Sequence, residues 1–384
     1  MARTNGYVYS DYRKGKSGKK RASFKRRFLI FVIDVIMFAI WLVAVAGTII
    51  SLITPHYTPE RLGIVSTVVL GAPIIYMVLL CTLFYWILRW RWSLALLCLV
   101  VVTVGSFSVG KYYQVYFKQQ VPRAYPDDVI KLISYNICNV NTPQIVDTIA
   151  KHKAQIVCLQ EYKSDSGEVW NGLVKYFQLR DNRKLSSTVS GNADFSCEIF
   201  TNQRIIRKGL IDSLPRFNAI WADIVCSKDT IRVINLHLKS TTITAQDIEF
   251  VEGHKYVLDS ARNSKIKGIA DKLVENNIYR SAQARKVAQF IEQSRPMNIV
   301  VCGDFNDIPL SYTYKTVAEG LTDAFTLAGA GYRYTFNGFF RLMAIDHILV
   351  SEKINALSYT VDHSITHSDH YPIVTRLKVN KILD

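Results

Sequence analysis

The chain has 384 residues, 49% of them hydrophobic, a formal net charge of +16 and room for two or more units. Residues 1–27 hold ten Lys/Arg against one acid, Asp11, and residues 28–118 hold five bases against two acids, which leaves only +4 for residues 119–384. The basic balance is therefore a property of the N-terminal tail, and it does not mark the whole chain as a nucleic-acid binder.

The tail, residues 1–27, contains "RKGKSGKKRASFKRR". Such a segment either binds anionic lipid headgroups or serves as a disordered topology determinant, and the second reading is preferred here. Three apolar runs follow, at 28–50, 62–88 and 93–110, each near or above the length that crosses a hydrocarbon core. A cleavable signal peptide would explain only the first, and no small-residue cleavage pattern follows any of them. Three transmembrane helices are expected.

Lys and Arg placement sets their orientation. The tail and the tight link carrying Arg89 and Arg91 are basic, whereas "SLITPHYTPER" between the first two runs has one Arg. The tail and second link therefore belong in the cytoplasm, and three crossings put the remainder on the outer or periplasmic side of a plasma or inner membrane. Asp34, inside the first run, is expected to reach the interface or a helix partner.

Residues 111–128 read as a linker of mixed charge, aromatics and prolines. Residues 129–384 change to short apolar runs separated by polar loops and helical stretches, an α/β or α+β domain of ordinary size with no internal repeat. Its five cysteines, Cys138, Cys158, Cys197, Cys226 and Cys302, are odd in number and lack a CxxC pair. They are expected as buried free thiols rather than a disulfide framework or zinc site.

Six predicted strand ends share one chemistry. "VIKLISYNI" ends on Asn136, and "AQIVCLQEY" on Gln160-Glu161. "TIRVINLHLKS" sets Asn235 and His237 two apart on one face, and "NIVVCGDFND" does the same for Asp304 and Asn306. "AIDHILVS" carries Asp346, and "THSDHYPIVTRL" carries Asp369 and His370 ahead of a last strand. One polar strand end is a turn, but six imply a shared edge, where α/β proteins tend to place ligands. Carboxylates gathered in one cleft repel unless a cation or protonated histidine lies among them. Hard oxygen donors without cysteine suit Mg2+ or Mn2+, and the inventory fits metal-assisted attack of water on a phosphoester.

"SYNI", "LQEY", "NLHL", "GDFND", "IDHILVS" and "HSDHYPI" resemble, in order and spacing, the endonuclease/exonuclease/phosphatase superfamily, over about residues 128–380. That group includes DNase I, the AP endonucleases, the neutral sphingomyelinases and the inositol polyphosphate phosphatases. The resemblance implies a DNase I-like four-layered sandwich, two packed mixed sheets flanked by helices. It implies Glu161 as the principal metal ligand, with Asn136 beside it and Asp369 close to the metal. By the same motifs Asp304 orients or deprotonates water, Asn306 holds a phosphate oxygen, and His370 acts on the phosphate, oriented by Asp346. His237 would donate to the leaving group or the phosphate. AP endonucleases have a tyrosine in that region, so His237 points to the other branches.

Two departures stand out. Ala344 replaces a commonly basic or polar residue, and the connection 240–290 is longer than the minimal one. Its excess, 241–279, is expected as a substrate-side loop ahead of a helix near Arg280 to Phe290. Asn235 and Arg333 are expected as substrate contacts, "GYRYTF" (331–336) as an aromatic wall or as packing, and His152, His254 and His363 as surface residues.

The sequence thus reads as a membrane-anchored phosphoesterase. Its partners are the bilayer and a small or lipid-borne phosphoester, and no protein partner is inferred. With +4 on the domain and only scattered basic pairs such as Arg183-Lys184, a nuclease of the same superfamily is the alternative. An inactive membrane scaffold is the alternative of another class.

Overall fold

The apolar first third folds as helices: α1 (Val8–Ile53), the short α2 (Pro59–Leu62), α3 (Ala72–Leu88) and α4 (Trp92–Val109). Three stretches, Phe24–His56, Pro59–Leu88 and Trp92–Val109, are long and apolar enough to cross a membrane. α1 continues through the basic tail from Val8, so the described part of the tail is helical rather than disordered. The run expected as one helix over 62–88 is also interrupted. Gly63–Gly71 winds as a 3-10 helix, and Pro73, which lacks an N–H and restricts the residue before it, stands second in α3.

This computed structural model describes residues 8–115, 126, 128–162, 167–177, 185–186, 196–211, 218–241 and 260–380. Arg183-Lys184, His254 and most of the expected linker and of the 241–259 stretch lie outside them. The chain divides into two compact units, Met1–Ile49 with Pro73–Gly105, and Ile50–Ala72 with Ser106–Asp384. Within the first unit, Asp34 has a helix partner as expected. It accepts from Arg89 Nε and Nη2 at 2.8 and 2.7 Å and from Tyr85 Oη at 2.5 Å.

The second unit is built on two six-stranded sheets. One is ordered β10 (Thr322–Asp323), β12 (Asp346–Val350), β9 (Asn298–Asp304), β8 (Asp229–His237), β7 (Asn218–Cys226) and β6 (Arg204–Leu210). The other is ordered β13 (Ile354–Val361), β14 (Ile373–Val379), β2 (Val129–Asn136), β3 (Ile156–Tyr162), β5 (Ser196–Thr201) and β4 (Leu185–Ser186). Both mix parallel and antiparallel pairs, β8–β9 and β2–β3 being parallel. A small ribbon joins β1 (Tyr113–Gln114) to β11 (Gly331–Tyr332), so the stretch expected as linker begins as a strand.

These strands read as continuous apolar runs because both faces are covered. Leu132, Ile156 and Ile199 meet Val233, Val300 and Ile348 between the sheets. The next residue on β2, Ile133, faces outward to Ile145 and Ile149 of α5 (Pro143–His152) and Leu173 of α6 (Glu168–Tyr176). On the far side, Ala284, Val287 and Ile291 of α7 (Ser260–Gln293) cover Ile234 and Val301. The result is the expected helix–sheet–sheet–helix sandwich, with each buried Leu or Ile contributing about 1.5–3 kcal/mol.

α7 corrects one expectation. Residues 260–279, read as part of a substrate-side loop, are its N-terminal half. α7 also bonds to the start of the second apolar stretch: Asn277 Nδ2 donates to Ser66 Oγ at 2.8 Å, and Arg285 Nη2 to Glu60 Oε1 at 2.9 Å. Lys315 of α8 (Tyr312–Val317) lies 2.8 Å from His56 Nδ1.

Candidate active site

Strand register assembles one half of the site. His237 pairs with Asp304 across the parallel β8–β9 ladder, and Asp346 pairs with Asp304 across the antiparallel β12–β9 ladder. Three adjacent strands therefore end side by side on His237, Asp304 and Asp346. β8 and β9 approach closely at Gly303, which has φ +134; a Cβ there would collide with the Leu236 carbonyl, so only glycine fits. The second sheet brings Asn136 at the end of β2, Glu161 on β3, and the loop before β14 with Asp369 and His370. Glu161 has φ +51 at a register shift in β3, a bulge that re-aims its carboxylate.

The side chains converge on Asp304, which is 1% exposed. Its Oδ2 accepts from Asn136 Nδ2 at 3.0 Å and from Asn306 Nδ2 at 3.1 Å, and its Oδ1 from the Asn306 amide at 2.7 Å. His237 Nε2 lies 3.6 Å from Asp304 Oδ2 and 3.5 Å from Glu161 Oε1, and His370 Nε2 lies 3.8 Å from Asp304 Oδ2. His370 Nδ1 is 2.9 Å from Asp346 Oδ2. Burial, reinforced by Asp346, raises the Asp304 pKa, with His370 and His237 acting against it. Burial disfavours the His370 cation, but Asp346 and Asp304 outweigh it and hold the pKa up to about 10.

Among the described residues, two groups of three can hold a cation. Glu161, His237 and Asp304 each offer an atom within 4.8 Å of the others, and so do Asp304, Asp346 and His370. His237 Nε2 is buried and has no hydrogen-bond partner, an orphaned donor or acceptor aimed at two carboxylates. The residues fit a divalent ion. Asn136 does not present a ligand atom in this arrangement: its Nδ2 donates to Glu161 Oε1 at 3.1 Å as well as to Asp304, and its Oδ1 accepts from Cys138 N at 3.0 Å. Asp369 is exposed and accepts from Ser368 Oγ at 3.3 Å. It stands outside both groups.

Three further expectations are corrected. Asn235 is not a substrate contact. It is buried between the sheets, donating to the Leu159 and Glu198 carbonyls at 2.9 Å and accepting from Gln160 Nε2 at 2.6 Å. Arg333 is also buried, with Nη1 on both oxygens of Asp323 at 3.0 and 2.8 Å and its guanidinium over the Phe325 ring. Asn306 commits its amide to Leu238 O at 3.0 Å and to Asp304, so it shapes the turn that presents the carboxylate.

Of the histidines read as surface residues, His152 bonds Asp362 at 2.8 Å and His363 stacks on Tyr334 with centroids 3.8 Å apart. All seven cysteines are free, and Cys138 is exposed rather than buried. Within "GYRYTF", Phe336 packs against His370 at 5.1 Å between centroids. Ser368, quoted inside a motif but given no task, donates to Asn136 O at 2.8 Å and accepts from His370 N at 3.1 Å, fastening the His370 loop to β2.

A model of the endonuclease/exonuclease/phosphatase family matches residues 133–370, the span that carries all of these side chains. The chain belongs to this family. It is accordingly a hydrolase acting on phosphoester bonds. A second model, "Domain of unknown function (DUF8431)", matches residues 29–112. No relative among curated proteins matches.

Solved structures are similar to this family member at low identity. One is an endonuclease/exonuclease/phosphatase family protein from Bacteroides thetaiotaomicron, 17% identical with TM-score 0.46, covering 67% of this chain and 100% of its own. Another, from the same organism, is a mannosyl-6-phosphatase, 17% identical with TM-score 0.45, covering 65% and 99%. The human Nocturnin catalytic domain is 17% identical with TM-score 0.46, covering 67% and 97%.

Proposed function

We propose that this protein is a membrane-anchored phosphoesterase that hydrolyses a small or lipid-borne phosphodiester or phosphomonoester by in-line attack of water. The observation that carries the reading is the buried Asp304 carboxylate faced by two histidine Nε2 atoms at 3.6 and 3.8 Å. Asp304 is the water-orienting base, since burial brings its pKa closer to that of a working proton acceptor. Asp346 fixes the His370 ring through Nδ1, leaving Nε2 to meet a phosphate oxygen as a cation. His237 is the donor to the leaving group. Asn136 and Asn306 hold Asp304 in place through their amides.

The metal reading rests on the donor set. Glu161 would hold Mg2+ or Mn2+ beside the Asp304 carboxylate, with Asp369 on the open side, leaving His237 Nε2 free to donate. When bound, the ion would polarise a phosphoryl oxygen and lower the pKa of water.

Two observations support the anchored, outward-facing arrangement. Three stretches are long and apolar enough to span a membrane, and the start of the second, at Glu60 and Ser66, packs on the catalytic unit. The preference for a small or lipid-borne substrate rests on the +4 charge of residues 119–384, low for a nuclease that must neutralise several backbone phosphates. The test is a parallel assay of the full chain in detergent on plasmid DNA, RNA, a sphingomyelin-like lipid, inositol phosphates and nucleotides, with and without EDTA, at two salt concentrations. EDTA-sensitive cleavage of a lipid or small ester is expected. Salt-sensitive DNA nicking alone would replace the substrate reading with a nuclease, and no turnover anywhere would leave a scaffold.

A further inference from the structure

Thr335 is fully buried and lies between the two residues that make the His–Asp pair. Its hydroxyl oxygen accepts from the Ile345 and Asp346 amides, both at 3.0 Å. Its carbonyl accepts from Tyr371 N at 2.8 Å, the residue after His370, and its own amide donates to Met343 O at 2.9 Å. Its neighbour Phe336 forms an isolated bridge with His370. One residue thus touches the chain at Asp346 and beside His370, whose Oδ2 and Nδ1 meet at 2.9 Å.

We infer that Thr335 is a positioning residue for the reaction: its hydroxyl sets the start of β12 while its carbonyl sets the His370 loop, fixing the Asp346–His370 contact. The hydroxyl is what the pair depends on. Thr335 Oγ1 accepts from both amides at the point where β12 begins, and a buried amide without an acceptor costs about 1–3 kcal/mol. In Thr335→Val both amides lose this acceptor and the start of β12 must shift to regain one. Displacements of this scale cost catalysis far more than substrate binding. Thr335→Ser keeps the oxygen and loses only a methyl group.

This inference rests on the phosphoesterase reading for its kinetic test, but one readout does not. In the full chain carrying 15N-labelled histidine, the hydrogen-bonded ring N–H of His370, assigned by its loss in Asp346→Asn, should be a downfield resonance in the parent protein and in Thr335→Ser. It should be lost in Thr335→Val at unchanged melting temperature, or shifted if that variant is less stable. Its persistence at the parent position in Thr335→Val overturns the inference, even if no substrate is ever turned over.

With an activated aryl phosphodiester and Mg2+, Thr335→Val should lower kcat by about 10–100-fold with KM unchanged, and Thr335→Ser should restore most of it. In the Asp346→Asn background the Thr335→Val penalty should shrink to near nothing. Fully additive losses would mean that Thr335 does not act through Asp346, and would also overturn the inference.

Discussion

Asn235 and Gln160 meet across the sandwich, the Gln160 amide donating to Asn235 Oδ1 at 2.6 Å. The contact explains why Asn235, two residues before His237 on the same face, is not part of the site. The inner face of β8 runs from the core to the mouth, and Asn235 stops at the depth where the Leu159 and Glu198 carbonyls need a donor.

Replacing Asn235 by Ala should therefore act on stability. It leaves buried carbonyls without a donor, a loss of about 2–3 kcal/mol. Thermal unfolding of the full chain in detergent should show a lower Tm, with KM of the surviving enzyme near the parent value. A raised KM at unchanged Tm would return Asn235 to the substrate.

Glu161→Gln should shift the metal requirement. It removes the most exposed carboxylate of the His237 group, so the Mg2+ concentration for half-maximal activity should rise about tenfold or more while saturated kcat falls less. Titration with Mg2+ after EDTA treatment is the measurement. An unchanged half-saturation point would exclude Glu161 as a ligand.

The Asp362 carboxylate gives a pH signature away from the site. Burial opposes its charge, but hydrogen bonds from Ser364, His152 and Lys151 prevail and hold its pKa down to about 2. The stability it adds, about 1–2 kcal/mol, should be complete above pH 4 and lost as pH falls toward 2. Asp362→Asn should thus lower Tm at pH 7, and the difference from the parent should shrink below pH 4.

The membrane orientation predicts reporter activities. A reporter enzyme active only outside the cytoplasm should work when fused after residue 56 and after residue 384. Activity at the first position alone would place the catalytic unit in the cytoplasm.

The strands and the six motifs were legible in the sequence because apolar runs ending on Asp, Glu, His or Asn state both burial and chemistry. What was not legible was where a buried polar group finds its partner. Arg333 read as a phosphate contact because its acceptor, Asp323, is ten residues away at the end of a two-residue strand that the sequence does not show. Asn136 and Asn306 read as metal and phosphate contacts because an amide offers either an oxygen or a nitrogen, and only the fold shows nitrogens turned to Asp304. The helix over 260–279 does carry a signal, Ile266, Ile269, Leu273, Val274 and Ile278 at helical spacing, but it is diluted by the many polar residues between them. Thr335 carried no sequence signal, since its task is a pair of backbone amides.

Asp304 is the point on which the account turns. The most direct measurement is hydrolysis of an activated aryl phosphodiester with Mg2+ by the full chain and by Asp304→Ala, with folding checked by Tm. The account predicts EDTA-sensitive turnover in the parent and a loss of about 10²–10⁴-fold or more in a folded Asp304→Ala. A folded Asp304→Ala variant with nearly unchanged turnover would contradict it.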